Sequence, residues 1–304
     1  MRELAVSVVV PTVDRVALLE RCLRGLAAQA GGPAYEVLVV HDGDPGIVAL
    51  LDAWQDRLPL RPLRCPDRGA SAKRNLGWRS ALAPVVAFTD DDCEPQPGWL
   101  AAGVAGMVAG VDLVQGQVEP HPEDAQVDAV FARTIEVREP NPHFANANLL
   151  YRRTALEIAG GYDERLSAGE DTDLAWRVKE AGGAVGWAPQ ARVWHAVRAP
   201  SFLAHLRSLP RWASLPAVVR RHPGLRDTVS YRFFWKPVHP RAVVALAGLL
   251  LAPGDRRSLL LTLPLLVFRV RRAGVRSGLQ LAASDLAEVA VVVVGSVRHR
   301  SLLL

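Results

Sequence analysis

An α/β fold built on a mostly parallel sheet is predicted by three features of the sequence. Short β-branched runs at residues 5–10, 35–40 and 85–88 alternate with helical stretches. Those runs are mostly apolar, interrupted by Ser7 and Glu36, as befits strands covered on both faces. Two of them end in carboxylates, at Asp42 and at Asp90-Asp91-Asp92. Carboxyl ends of parallel strands share one edge of a sheet, and ligands bind at that edge.

Taken in order, residues 5–10 form a first strand closed by Pro11-Thr12. Asp14 occupies an N-cap position, and Leu18, Leu19, Cys22, Leu23 and Leu26 recur at helical spacing behind it. Gly31-Gly32-Pro33 stops that helix, and residues 35–40 make a second strand ending in His41-Asp42-Gly43-Asp44. A short helix over 47–54, a strand over 60–64 and a helix from 70 to 81 lead to the strand before the acidic triplet. This tempo of strand and helix implies right-handed crossovers in a parallel sheet. Pro97-Gly98-Trp99-Leu100 opens another helix, and residues 113–118 are a strand. Residues 121–143 are polar and proline-flanked, and read as an insertion or an acceptor-facing loop. Strand character returns over 146–151. Glu170-Asp171 opens a helix after a glycine loop, with Leu174, Ala175, Val178 and Ala181 as its apolar stripe. Val193-Trp194-His195 closes this half.

The 304 residues are 50% hydrophobic, with three scattered cysteines (Cys22, Cys65, Cys93) and no C-x-x-C pair. That pattern fits neither a disulfide framework nor a zinc site, and it points to a reducing compartment. No targeting segment is visible ahead of the first strand. Charge divides the chain. Residues 1–195 hold 19 Lys/Arg against 27 Asp/Glu, a net of −8, while residues 196–304 hold 17 against 4, a net of +13. An acidic head and a basic tail imply different partners.

Three adjacent carboxylates repel one another, and a divalent cation with hard oxygen ligands would offset that repulsion. Alone, such a triplet reads rather as a solvated acidic loop, and the rest of the chain decides. Lys73 and Arg74 suit a phosphate or a solvated helix face. Asp171 is a general base or an N-cap, and the lone His195 is a ligand or a structural residue.

Val8-Val9-Val10-Pro11-Thr12, Asp42-Gly43, Ala72-Lys73-Arg74-Asn75, Phe88-Thr89-Asp90-Asp91-Asp92, Gly161-Tyr162-Asp163-Glu164, Glu170-Asp171-Thr172-Asp173-Leu174 and Trp194-His195 occur in an order that resembles the family 2 glycosyltransferases. The resemblance covers about residues 4–196. It implies the GT-A fold, a Rossmann-like, mostly parallel sheet, over residues 1–196. Residues 4–118 would bind the nucleotide and 119–196 would serve the acceptor and the chemistry. By the same resemblance Pro11, Thr12 and Asp42 bind base and ribose. Arg74, Asn75, Asp90 and Asp91 lie on the donor, and Asp90 and Asp92 are the DxD pair. Asp92, Asp90 and His195 hold Mn²⁺ or Mg²⁺, and Asp171 is the base with Glu170 beside it. Asp91 is the triplet member expected to tolerate replacement best. Trp99, Asn148 and Trp176 are candidates for sugar or acceptor contact, although packing accounts equally well for the tryptophans. Two positions depart from the family pattern: His41 stands where an acid is common, and Asp44 where a serine is common.

Residues 197–304 form the tail. Residues 196–241 carry nine Lys/Arg and one Asp, interleaved with Trp212, Phe233, Phe234 and Trp235. Two apolar runs, 242–252 and 259–268, follow on either side of Pro253-Gly254-Asp255-Arg256-Arg257-Ser258. Each is about half the roughly 20 residues that a span requires. The reading is of in-plane or shallow helices on the cytoplasmic face of an anionic membrane, with Arg269, Arg271, Arg272 and Arg276 at the lipid heads. Nucleic acid is not the expected partner. The function expected is metal-dependent, inverting transfer of a sugar from a nucleotide-diphosphate donor to a glycan or lipid-linked acceptor, in cell-envelope synthesis. The alternatives are a sugar nucleotidyltransferase, disfavoured by the absence of a glycine-rich loop after the first strand, and a non-catalytic membrane-associated nucleotide-sugar-binding protein.

Overall fold

The computed structural model describes residues 3–29, 31–66, 68–127 and 129–304. They form two compact units. One comprises residues 1–127, 133–165 and 170–198, the other 128–132, 166–169 and 199–304.

The first unit is organised on an eight-stranded sheet. Its strands are β1 (Val6–Pro11), β2 (Tyr35–His41), β3 (Leu60–Arg64), β4 (Val85–Phe88), β5 (Cys93–Pro95), β6 (Val111–Pro120), β7 (Leu149–Arg152) and β8 (Ala184–His195), in the order β3-β2-β1-β4-β7-β6-β8-β5. The first four strands in that order are parallel, as the apolar runs predict. β7 then enters antiparallel between β4 and β6. β8 runs parallel to β6 and continues to its end. The sheet is therefore mixed, a feature that hydrophobic runs cannot reveal because both kinds of covered strand look alike.

The helices between the strands are α1 (Val16–Ala27), α2 (Pro45–Trp54), α3 (Gly69–Arg79), α4 (Trp99–Gly106), α5 (Arg153–Ala159) and α6 (Glu170–Glu180). Two caps differ from expectation. Asp14 does not cap α1; it lies in the left-handed region at φ 46, and Arg15 takes the N-cap position. Asp44 is the real cap, accepting from the Ile47 amide of α2 at 3.0 Å. That explains an acid in place of a serine there.

Register decides what shares an edge. Pro11 pairs with Val40 and Val9 with Phe88, so β1, β2 and β4 deliver Thr12, Asp42 and Asp90 to one side. β7 pairs Leu149 with Phe88, which brings residues 146–148 to the same edge. β5 pairs Cys93 with His195, which seats Asp92 beside the end of β8.

The second unit contains α7 (Phe202–Ser208), α8 (Leu215–Arg221), α9 (His239–Leu251) and α10 (Leu263–His299). Arg256–His299 is the one candidate among the described residues long and apolar enough to cross a membrane, with a mean hydropathy of 1.5 in its best window. It is not straight. Gly274 has φ 74 and ψ 174, and the chain folds back there. Arg269 bonds both carboxylate oxygens of Asp285 at 2.6 Å. Sixteen residues of straight helix would hold those two residues about 24 Å apart. A Cβ on Gly278 would also meet the Val270 Cα at 2.6 Å, so the two limbs touch. Ala242, Ala245, Leu265, Ala282 and Val289 form the core between α9 and these limbs. Asp285 and Glu288, which interrupt the apolar series in sequence, are buried and paired, to Arg269 and Lys236.

Helix α3 lies against β1 at Gly77, where any Cβ would overlap the Val9 side chain. Gly77→Ala is expected to cost about 1–3 kcal/mol through overpacking. In urea denaturation the double variant Gly77→Ala/Val9→Ala should lose less than the sum of its two singles, since removing the Val9 methyls makes the room that the added Cβ requires.

Candidate active site

Two arginines hold the acidic triplet, Arg74 taking Asp90 and Arg15 taking Asp91 and Asp92. Asp90 receives the Arg74 guanidinium at 2.6 Å, and the other arm of Arg74 reaches Glu170 at 3.0 Å. Burial pushes the Asp90 carboxyl up, and Arg74 more than reverses this, holding it below its ordinary range. Arg74 is itself 6% exposed, so one buried cation joins the end of β4 to the start of α6.

Asp91 is fully buried. Thr12 donates to its Oδ2 at 2.7 Å and Arg15 Nε donates to the same oxygen at 3.1 Å, while Arg15 Nη2 makes an ion pair with Oδ1. Burial raises its carboxyl to about 7 against the pull of Arg15, with the Asp92 charge adding to the rise. Asp91 is therefore not the expendable member. It fixes the β1 turn, where Lys73, also fully buried, donates to the Thr12 carbonyl at 2.9 Å.

The two carboxylate oxygens of Asp92 face different groups. Oδ2 accepts from Arg15 Nη1 at 2.8 Å, and Arg198 stands 4.0 Å from it. Oδ1 faces His195 Nε2 at 3.5 Å. The neighbouring backbone is locked, because the Ala196 amide donates to the Asp92 carbonyl at 2.8 Å. His195 Nδ1 lies 2.8 Å from the Ala196 carbonyl and 3.0 Å from Thr134 Oγ1. With its proton on Nδ1 the ring would satisfy the Ala196 carbonyl and turn the Nε2 lone pair toward Asp92, while the Ile135 amide, 3.4 Å away, competes for Nδ1. One oxygen and one imidazole nitrogen 3.5 Å apart suit adjacent positions on an octahedral ion, for which bonds of about 2.1 Å give a separation of about 3 Å. Asp92, Cys93 and His195 together offer three donor atoms within 4.8 Å of one another. The residues present thus fit a divalent cation.

Asp171 lies in the first turn of α6, its carboxylate accepting from the Thr172 amide at 2.8 Å and the Asn146 amide at 3.3 Å. The residue keeps some surface while its carboxyl is enclosed. Burial, then the adjacent Glu170 charge, raises it to about 7. Asn146 is held by Tyr162 Oη at 2.6 Å, and its buried Nδ2 has no hydrogen-bond partner.

Other residues named from the sequence have different situations. Pro11 ends β1 and is buried; Asp42 is partly exposed and accepts from the Asp44 amide at 3.4 Å. His41 is buried, and desolvation lowers its pKa. Asn75 is fully engaged, donating to the Tyr162 carbonyl at 2.9 Å and to Glu164 at 3.0 Å while accepting from the Tyr162 amide and Trp78. It fastens the Gly161 turn, where a Cβ would come within 2.6 Å of its own Oδ1. Trp99 and Asn148 have no exposed surface and bond to each other at 2.8 Å; Asn148 also donates to the Gln117 and Ala191 carbonyls. Acceptor contact is set aside for both, since each is enclosed in the core. Trp176 is 9% exposed and donates to the Pro142 carbonyl at 2.9 Å.

Arg15 is the residue that sequence reasoning missed. Its signal was a cation at the strand-to-helix turn directly behind Pro11-Thr12, hidden by the assumption that Asp14 capped the helix. Thr134, which lies in the polar 121–143 stretch, was not legible at all.

A mixed sheet that gathers acids, a histidine and an enclosed carboxylate at one edge suits a nucleotide-sugar transferase of the GT-A type. The chain matches Glycosyl transferase family 2 over residues 7–160 and Glycosyl transferase family group 2 over residues 85–271. It belongs to glycosyl transferase family 2. Glycosyltransferase AglE of Haloferax volcanii is 28% identical over 208 residues, 64% of this chain and 67% of that protein. The pre-mycofactocin glycosyltransferase of Mycobacterium tuberculosis is 30% identical over 211 residues, 62% of this chain but only 42% of that protein. Among solved structures, the mannosyltransferase PcManGT from Pyrobaculum calidifontis, in complex with GDP-Man and Mn²⁺, superposes with a TM-score of 0.60 at 19% identity, covering 97% of this chain and 86% of that one. Staphylococcus aureus TarS in complex with UDP-GlcNAc gives 0.55 at 17% identity, covering 98% and 93%. The fold is GT-A, and the protein is a glycosyltransferase (EC 2.4) rather than a nucleotidyltransferase or a non-catalytic binding protein.

Asp91→Ala would leave Thr12 Oγ1 without its acceptor and Arg15 with Asp92 as its remaining carboxylate partner. Urea unfolding should show a loss of about 1–3 kcal/mol. That is below the figure for a fully buried ion pair, because the Arg15 side chain is 29% exposed.

Proposed function

We propose that the enzyme transfers a sugar from a nucleoside-diphosphate donor to an acceptor hydroxyl, using a divalent cation and inverting the anomeric centre, in the synthesis of a cell-envelope or lipid-linked glycan. The observation that carries this reading is the chain Asp90–Arg74–Glu170, which joins the acidic triplet to the residue beside Asp171. The GDP-Man, UDP-GlcNAc and Mn²⁺ of the structural neighbours support it.

Pro11, Thr12 and Asp42 would border the base and ribose. Only Asp42 of these keeps a free carboxylate surface, and the tight bonding of Thr12 suits it to shaping the pocket. Asp92 Oδ1 and His195 Nε2 would hold Mn²⁺ or Mg²⁺, with Asp90 on the donor side. The cation, when bound, would neutralise charge that develops on the departing diphosphate. Arg15 is a positioning residue. By holding Asp92 Oδ2 it leaves Oδ1 turned toward His195. Asp171 takes the acceptor proton as the new bond to the anomeric carbon forms and the bond to the diphosphate oxygen breaks. A carboxyl raised to about 7 is well matched to that task near neutral pH. The free Asn146 Nδ2, beside it, suits a substrate hydroxyl or carbonyl. Residues 4–118 would serve the donor and 119–196 the acceptor. The tail would rest on the cytoplasmic face of a membrane, peripherally or monotopically, with its apolar helices in plane.

A panel of nucleotide sugars, read by released nucleoside diphosphate, should identify a turned-over donor only when Mn²⁺ or Mg²⁺ is present. Asp171→Asn and Asp92→Asn should each lower turnover by at least about 10²-fold; full activity in either overturns the site. Arg15→Lys, which loses the two-armed grip, should weaken Mn²⁺ binding by about 10–100-fold in a paramagnetic-resonance titration.

The pH dependence has a defined sign. Asp171 must be ionised to accept a proton, so kcat/KM should rise about tenfold per pH unit and level off above about 7. Its folded value lies above its ordinary 3.8, so the stability it contributes is full below 3.8 and lost as pH rises through about 7. Asp171→Asn has no such loss. Its melting temperature relative to the parent should climb between those two values, while its activity stays low throughout.

A further inference from the structure

The fold-back at Gly274 leaves the first limb of α10, residues 263–273, with one face buried and one face outward. Leu265 packs inward at 1% exposure. Leu260, Leu263 and Val267 follow one another at spacings of three and four on the exposed side, with Arg271 one turn further on and Arg272 beside it, while Phe268 is partly buried against the core. These residues border a groove of about 550 Å³. Leu260 is 65% exposed, and Leu250, at the adjoining end of α9, is 73% exposed. The end of α9 and the residues before α10 are joined by Ser258 Oγ donating to the Gly248 carbonyl at 2.9 Å. Large apolar side chains this open, in a row, indicate a partner.

Charge identifies the partner's chemistry. Residues 239–284 contain seven arginines and one acid, Asp255. Arg241, Arg269 and Arg272 converge on the Phe268 ring at 4.6, 5.7 and 4.3 Å. Asp285 neutralises Arg269. Among the described residues no carboxylate pairs with Arg241, Arg271 or Arg272, so two guanidinium groups at one ring, with a third beside them, lack an anion. Eleven helical residues measure about 16 Å, far short of the roughly 30 Å hydrocarbon layer, so this limb can lie in a leaflet but not cross it.

We propose that this face docks on an anionic phospholipid leaflet. The acyl region covers Leu260, Leu263 and Val267, and a lipid phosphate sits against Arg271 and Arg272 with Arg241 nearby. Arg269, grouped with the lipid-facing arginines on sequence alone, is excluded because Asp285 occupies it. The proposal rests on the membrane reading of the tail given above.

The test is flotation of the full-length protein with phosphatidylcholine vesicles, with and without phosphatidylglycerol. The parent should float only with the phosphatidylglycerol vesicles. Arg271→Gln/Arg272→Gln should bind about 25-fold more weakly, about fivefold per charge. Leu260→Asn/Leu263→Asn should stay unbound. All these positions are exposed, so melting curves should match the parent's; the arginine pair alone decides if the leucine pair misfolds. A parent indifferent to anionic vesicles overturns both the membrane reading and this face. A parent that binds while both variants bind equally well overturns the face and leaves the membrane reading standing. A dimer in sedimentation equilibrium that dissociates in the leucine variant gives the face to a second copy and also overturns the proposal.

Discussion

Crowding of negative charge is the constraint around which the catalytic unit is built. Two carboxylates about 4 Å apart in a medium of effective dielectric near 20 repel by about 4 kcal/mol, and three consecutive aspartates at a buried strand end multiply that cost. Two arginines meet it differently. Arg74 takes Asp90 and also Glu170, so one cation connects the strand carrying the acids to the helix carrying Asp171. Arg15 takes Asp91 and one oxygen of Asp92. What remains uncompensated is the other oxygen of Asp92, and it is the one that faces His195. Compensation of most of the cluster thus concentrates cation demand at a single point.

Backbone pairing sets that point. The Cys93–His195 register and the Ala196 amide on the Asp92 carbonyl bring together side chains more than a hundred positions apart in sequence. The strand β5 that achieves this has only three residues and directly follows the triplet. Rigid pairing of this kind limits how far Asp92 and His195 can separate, which favours an ion held at a preset distance. Asp171 is treated differently: its carboxyl is buried and next to Glu170, which together outweigh the two backbone amides that favour its charged form, so ionisation is costly. The two carboxylates thereby differ in setting: Asp92 is held by Arg15 and faces His195, while Asp171 is poised to exchange a proton.

Much of this was legible in the sequence because an acid at the end of an apolar strand contributes nothing to a core. Asp42, Asp90 and Asp92 were named, and their common edge followed from a parallel sheet; Asp171 and His195 were named through the family resemblance, and their placement depends on helix α6 and on the antiparallel β5–β8 pair. What escaped depends on long-range pairing. β7 reads as an ordinary apolar run, yet its reversed direction seats Asn146 beside Asp171. Asn148 and Trp99 looked like polar and aromatic groups available to a sugar; the β6–β7–β8 packing instead encloses them, and they satisfy each other. Asp91 looked redundant between two functional neighbours. Its burial and three contacts became apparent only when Arg15 and Thr12 were seen to converge on it.

In the tail, composition alone left Asp285 and Glu288 without an account. A continuous apolar helix ending the chain would pass as a span by length, and its Asp285 and Glu288 would then be charges in hydrocarbon, expensive by about 2.5 kcal/mol or more each. The reversal at Gly274 removes the difficulty, because both acids turn inward to Arg269 and Lys236. The same reversal divides the tail's basic residues into two classes. Those consumed by internal acids hold the helices together, and those left outside, next to exposed leucines, carry the excess positive charge. One glycine therefore separates the structural use of arginine in this tail from its use toward a partner, a distinction to which net charge alone is blind.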